Sequence, residues 1–256
     1  MPAGPPPPEP GGQPHPGRAA RDTVHAADPD LVRAALAGAA GLGMFFALTT
    51  GDTGEPWRPA HEVYADGLAT VIARTARQLG VTEPRVAAAT VHLGYAARLW
   101  SPVLYCALVH GVVPDLATLR LVSTPSLQLN LPTLTGWQAE TGQPDDLAGT
   151  VYGTVVDGHL EPLAATLPVK IARGLLRGNA ASALAAALRV LTAGRPDLTP
   201  AARRLAQALL TTGTLRGTGA LTGTGVEFLR RSCCLFYRVP GGGYCGDCPL
   251  PTHRLS

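Results

Sequence analysis

Residues 82–109 read TEPRVAAATVHLGYAARLWSPVLYCALV, and the spacing of their apolar side chains decides the class of fold. Val86, Ala89, Thr90, Leu93, Ala97 and Trp100 fall at i, i+3, i+4, i+7, i+11 and i+14, one stripe of a long amphipathic helix with Thr82 near its cap. The helix is expected to run into Ser101-Pro102, and Pro102 to start a further apolar helix through Val103, Leu104, Cys106, Leu108 and Val109. Toward the N-terminus the same period recurs. Leu68, Val71, Ile72 and Leu79 mark a helix over about 60–79, and Asp28-Pro29 gives an N-cap followed by proline for a helix through Leu31 and Leu36 toward Phe45.

The period changes beyond Pro114. Leu127, Leu129 and Leu131 alternate with Gln128 and Asn130, the pattern of a strand with one buried face. Asp157-Gly158 between VYGTVV (151–156) and HLEPL (159–163) predicts a hairpin, and with it a small antiparallel sheet. Helix returns with Leu184, Ala187, Leu188 and Leu191, and again after Thr199-Pro200, where Leu205, Ala208 and Leu209 follow in period. The Gly/Thr-rich run from Thr211 to Gly225 reads as a loop and places a boundary there. The fold class is therefore mainly α (α+β): a helical body with a small antiparallel sheet, and a small C-terminal module. Residues 1–27, rich in proline and glycine, read as a disordered tail, 28–222 as the body and 223–256 as the module.

Composition narrows the function. Of the 256 residues 46% are hydrophobic and 15% charged, against ~25% charged in a typical domain. The net charge of +3 comes without a long basic run, so nucleic acid is not an expected partner. No window reaches the ~18 apolar residues of a membrane span. The nearest, residues 34–48, reads as a buried helix packed through small side chains, and peripheral membrane contact stays open. No export signal is visible, and clustered cysteines without one fit a reducing cytoplasm.

Most other chemistry-bearing residues read as structural. Cys106 and His110 share a helix face but show no third ligand, and His92 and His159 pair with no visible nucleophile. Trp57, Trp100 and Trp137 read as core rather than as the walls of a ligand groove, and Asp145-Asp146 as a turn. No phosphate-binding glycine loop, flavin site or nicotinamide site is apparent.

The chemical signal lies in residues 230–250, RRSCCLFYRVPGGGYCGDCPL, where Cys233, Cys234, Cys245 and Cys248 form C-C-x10-C-x2-C around a Pro-Gly-Gly-Gly turn. Disulfides would need an oxidising compartment. A structural zinc site also takes four thiolates, although zinc knuckles are normally two C-x2-C pairs, and an iron-sulfur cluster takes four as well.

This segment resembles the C-terminal motif of the FhuF-like ferric-siderophore reductases in its cysteine spacing, its Arg-Arg-Ser lead-in, its glycine turn and the Gly-Asp between the last two cysteines. RLWSPVLY (98–105) and RGNAASAL (177–184) are similar to stretches found upstream in that family, with Arg177 where members often carry an aromatic. The resemblance implies a 2Fe-2S cluster on Cys233, Cys234, Cys245 and Cys248, and a C-terminal iron-sulfur module. It implies a cytoplasmic oxidoreductase that passes one electron to ferric iron in a siderophore, of hydroxamate type, and releases ferrous iron. With no flavin or nicotinamide site, the electron is expected from a separate donor protein. The alternative from a different class is a non-enzymatic binding protein whose four cysteines hold a structural zinc ion. Arg230, Arg231 and Arg238 are either tuning charges for the cluster or solvated surface residues, and Gly241, Gly242, Gly243 and Gly246 could bring backbone N–H groups to sulfur.

Overall fold

The long apolar stripe of residues 84–110 forms a single helix and sets the frame of the molecule. The structure is a computed structural model that describes residues 24–122, 127–139 and 144–250. In chain order, strand β1 (Val24–Ala26) precedes helix α1 (Pro29–Ala40), where Asp28 accepts the N–H of Asp30 at 2.8 Å as N-cap. Strands β2 (Thr49–Thr50) and β3 (Arg58–Pro59) lead to α2 (Ala60–Glu62), a π-helical turn over Val63–Gly67, and α3 (Leu68–Leu79). Helix α4 (Pro84–His110) is followed by β4 (Val112–Pro114), β5 (Arg120–Val122), β6 (Gln128–Leu131) and β7 (Gly136–Ala139). Then come α5 (Ala148–Tyr152), a π-helical run over Gly153–Leu160, α6 (Glu161–Thr166), α7 (Arg173–Gly194) and α8 (Thr199–Leu210). Strands β8 (Gly219–Thr222) and β9 (Glu227–Arg230) complete the regular elements.

Helices α4 and α7 pack against each other along their length, and α1 and α3 lie on α4. Small buried side chains make this close approach possible: Ala87, Ala88, Ala89 and Ala96 on α4, and Ala180, Ala181, Ala183 and Ala185 on α7. Two small sheets flank the bundle. One has the order β1-β7-β4, all antiparallel; the other has β2-β6-β5-β3, in which β2 runs parallel to β6. No helix among the described residues is long and apolar enough to cross a membrane.

Several expectations need correction. Pro102 does not start a new helix; α4 continues through it. Loss of one N–H and the ring clash cost ~3 kcal/mol, which the complete burial of Leu99, Trp100, Val103 and Leu104 offsets. The Asp157-Gly158 hairpin does not form. Val151, Tyr152, Val155, Val156, His159, Leu160 and Leu163 are all buried, a spacing of about four that only a helical run can turn inward. Helix α1 stops at Ala40, and Leu42, Met44 and Phe45 are exposed, so residues 34–48 are not one buried helix. The Gly/Thr-rich run holds β8, which pairs with β9 from Gly219↔Arg230 to Thr222↔Glu227 and spans the expected boundary at 222/223. Of the expected N-terminal tail, residues 1–23 lie outside the described residues, while 24–26 pair with β7 as a strand.

Candidate metal centre

Hairpin β8–β9 delivers the chain to the cysteines through Arg230, the last residue of β9. Arg230 is 1% exposed. Its Nη2 donates to Asn179 Oδ1 at 2.8 Å and to the Leu175 carbonyl at 3.4 Å, both on α7. Asn179, itself fully buried, donates from Nδ2 to the Ala89 carbonyl at 2.9 Å, so one amide joins β9, α7 and α4. Gly178 permits this approach: a Cβ there would collide with Ser232 Oγ and stand 3.0 Å from Arg230 Nη2.

The far end of the cysteine segment is tied to the same helix. Asp247 is buried, accepts a hydrogen bond from Ser182 Oγ and pairs with Arg189 at 3.4 Å. Its carbonyl accepts the Arg230 N–H at 3.2 Å, which closes the segment on itself. Gly178, Asn179 and Ser182 all belong to RGNAAS (177–182), so that stretch is the seat of the cysteine segment.

Between these ties the backbone turns sharply. Leu235 adopts φ 68°, a left-handed conformation that costs an L-residue roughly 1–2 kcal/mol. The turn points consecutive amides at sulfur: Leu235 N–H lies 3.4 Å from Cys233 Sγ, and Phe236 N–H bonds the Cys234 sulfur. A 3-10 turn over Phe236–Arg238 follows, then Gly241 and Gly243 at φ 72° and 66°, which reverse the chain toward Cys245. Asp247 N–H reaches the Cys245 sulfur, as Gly-Asp spacing allows.

All four cysteines are free thiols; Cys234 and Cys248 are buried, Cys233 and Cys245 half-buried. Cys234 and Cys245 meet in a hydrogen bond across the glycine turn. That bond, with the Phe236 amide and the Arg230 charge, pulls the Cys234 thiol below its ordinary range against the effect of burial. The same bond pushes Cys245 upward. Among the described residues no three His, Cys, Asp or Glu side chains gather as they would around a single ion.

A four-thiolate anionic group suits these surroundings. Arg230 Nε and Nη1 and Ser232 Oγ are buried without a hydrogen-bond partner among the described residues, and an unpaired buried cation is costly. Thiolates and sulfides would neutralise it, and the amides of Leu235, Phe236 and Asp247 already point at sulfur. Arg230 is thus in the position of a tuning charge. Arg238, by contrast, pairs with Glu83 at 2.7 Å on the surface, and Arg231 is exposed.

Cys106 stands apart: it is buried in α4, its thiol pushed up to about 12 by burial. His92 is buried with Nδ1 unpartnered, and burial, aided by the Arg230 charge and opposed by Glu161, pushes it down to about 4. His159 does have partners that sequence spacing could not show. Its Nε2 lies 3.0 Å from the Leu116 carbonyl, which can only accept, so Nε2 carries the proton and Nδ1 accepts from Tyr64 Oη at 2.8 Å. Tyr64 in turn accepts from Tyr95. Tyr64 and His159 sit in the two π-helical segments and, with Trp137, line a cleft of about 690 Å³, a volume typical of small-molecule sites. Trp100 is core and Trp57 is half-buried.

No curated protein matches the chain. Residues 230–250, the segment that carries the four thiols and their two ties to α7, match the family model of the FhuF 2Fe-2S C-terminal domain. The chain therefore carries a C-terminal domain of the FhuF type, and its cofactor is a 2Fe-2S cluster.

Proposed function

We propose that the protein is a ferric-siderophore reductase of the cytoplasm, in which Cys233, Cys234, Cys245 and Cys248 hold the 2Fe-2S cluster. The observation that carries this reading is the match of residues 230–250 to a 2Fe-2S domain of the FhuF type, set in surroundings suited to an anionic sulfur group. The helical body docks the substrate, a hydroxamate-type ferric siderophore, and the β8–β9 hairpin with the cysteine segment that follows it is the redox module. A cluster bound there supplies one electron; plant-type clusters lie near about −400 mV. Transferred to hard, oxygen-bound ferric ion, that electron leaves ferrous ion, which oxygen ligands hold far more weakly, and the iron is released.

The protein's own residues prepare the site. Arg230 places a fixed positive charge beside the thiols and favours the more negative, reduced form. Amides of Leu235, Phe236 and Asp247 act on the sulfurs in the same direction. Asn179, Ser182 and Gly178 fix the segment on α7, so the surroundings need not rearrange when charge changes.

The test is single-turnover oxidation of the reduced protein by a ferric hydroxamate siderophore, with a ferrous chelator as trap. One ferrous ion per reduced cluster is expected, and Cys245→Ser abolishes the yield. Reoxidation without ferrous release, or a Cys245→Ser protein that releases iron as fast as the parent, contradicts the reading.

A further inference from the structure

Charge is spread unevenly along this chain. Residues 173–250 contain ten arginines and three carboxylates, although the whole chain carries only +3. Several of these arginines surround the cysteine segment. Arg231 is exposed two residues before Cys233 and has no carboxylate partner among the described residues; its backbone N–H bonds the Thr218 carbonyl at 2.8 Å. Arg216, exposed just before β8, donates among the described residues only to the Thr211 carbonyl, at 3.1 and 2.9 Å. On the α4 side Arg85 and Arg238 share the one carboxylate of Glu83, and on the α7 side Arg189 reaches Asp247.

Five arginines with two carboxylates thus lie in the cysteine segment or are linked to it through these ion pairs and the Thr218–Arg231 backbone bond, a rim of positive charge to which buried Arg230 adds a sixth. Tyr237 and Tyr244 are exposed within the segment, with the Arg238 guanidinium 5.5 Å from the Tyr237 ring centre. Cys233 and Cys245, within the same segment, are half-buried.

We propose that this rim is the docking face for an acidic one-electron carrier protein, a proposal that rests on the redox reading above. The positive charge and the exposed aromatic rings coincide with the cysteines, as a short electron path between two proteins requires. An anionic membrane or a nucleic acid would instead lay phosphate over that edge. Contacts between redox proteins are small, and complementary charge raises their encounter rate more than their affinity. In the step itself the carrier loses one electron and the cluster gains one; no bond forms or breaks.

The experiment follows reduction of the cluster-loaded protein by an acidic flavodoxin hydroquinone, whose semiquinone band reports transfer, and in parallel by an uncharged photoreduced deazaflavin. The flavodoxin rate is expected to fall tenfold or more between low and high salt. Arg216→Glu/Arg231→Glu, which breaks no ion pair among the described residues, lowers the low-salt rate about tenfold and flattens the salt dependence, while the deazaflavin rate and the cluster spectrum stay unchanged. A flavodoxin rate insensitive to salt and to the double substitution, with normal bleaching by deazaflavin, overturns the docking face alone. Visible bands that neither reductant bleaches overturn the redox reading and this proposal together. Loss of sedimentation with phosphatidylglycerol vesicles in the double variant, with flavodoxin kinetics intact, assigns the face to a membrane and also overturns the proposal.

Discussion

Asn179→Ala is expected to loosen the cysteine segment from the body more than any other single truncation on α7. The side chain is fully buried, accepts from Arg230 Nη2 at 2.8 Å and donates to the Ala89 carbonyl at 2.9 Å. A hydrogen bond to a charged group contributes about 1.5–3 kcal/mol net and a neutral one about 1 kcal/mol. Arg230 Nε and Nη1 have no partner among the described residues, so after truncation the guanidinium keeps only the Leu175 carbonyl at 3.4 Å. The expected loss of stability is about 2.5–4 kcal/mol, from the two bonds together. Urea unfolding of reduced, metal-free protein measures it, and a double-mutant cycle with Arg230→Met isolates the pair. A coupling of about 1.5–3 kcal/mol is predicted. Strict additivity, with coupling below about 0.5 kcal/mol, would refute the claim that this amide seats Arg230.

Three further outcomes follow from the same geometry. Arg230→Gln lowers the cluster potential, because it removes a positive charge beside the thiols that favours the more negative, reduced form. Spectroelectrochemical titration reads this shift, and an unchanged or raised potential contradicts the tuning role. Leu235→Ile puts a β-branched residue at φ 68° and should shorten the life of the cluster in the presence of a chelator, whereas Leu235→Gly should not; the reverse order would show that the left-handed turn is unimportant. His92 and His159 are both depressed to about 4 in the fold, below an unfolded value of about 6.5. The unfolded chain therefore binds more protons between these values, and stability present above about pH 6.5 is lost as the pH falls toward 4. Each histidine removes about 2 kcal/mol between pH 7 and pH 5. His92→Gln/His159→Gln should flatten the pH dependence of the urea midpoint, and a double variant with the parent's full slope would show the loss arises elsewhere.

The helical body was legible because its apolar residues keep one period over long stretches. Val86 to Trp100 mark one face of α4, and Leu184 to Leu191 one face of α7, whatever they pack against. Local punctuation misled where tertiary burial outweighed it. Pro102 sits inside α4, and Asp157-Gly158 lies in a helical run whose every fourth residue or so is needed in the core. Strand β8 was hidden by its glycines and threonines, since its order comes from pairing with β9.

At the candidate site the sulfur chemistry could be read from spacing because all four cysteines lie within sixteen residues of one another. Their supports could not. Asn179 and Ser182 stand 51 and 65 residues before Arg230 and Asp247, the residues they hold, and a buried Arg-Asn pair leaves no periodic trace. Leu235 carries no signal either, because the residue expected in a left-handed turn is glycine.

The most direct test of the account is the visible spectrum of anaerobically purified protein before and after dithionite, with iron, sulfide and zinc determined on the same sample. About two irons and two sulfides per chain, with broad bands that bleach on reduction, are predicted. A colourless protein that carries about one zinc and stays colourless after cluster reconstitution would contradict it.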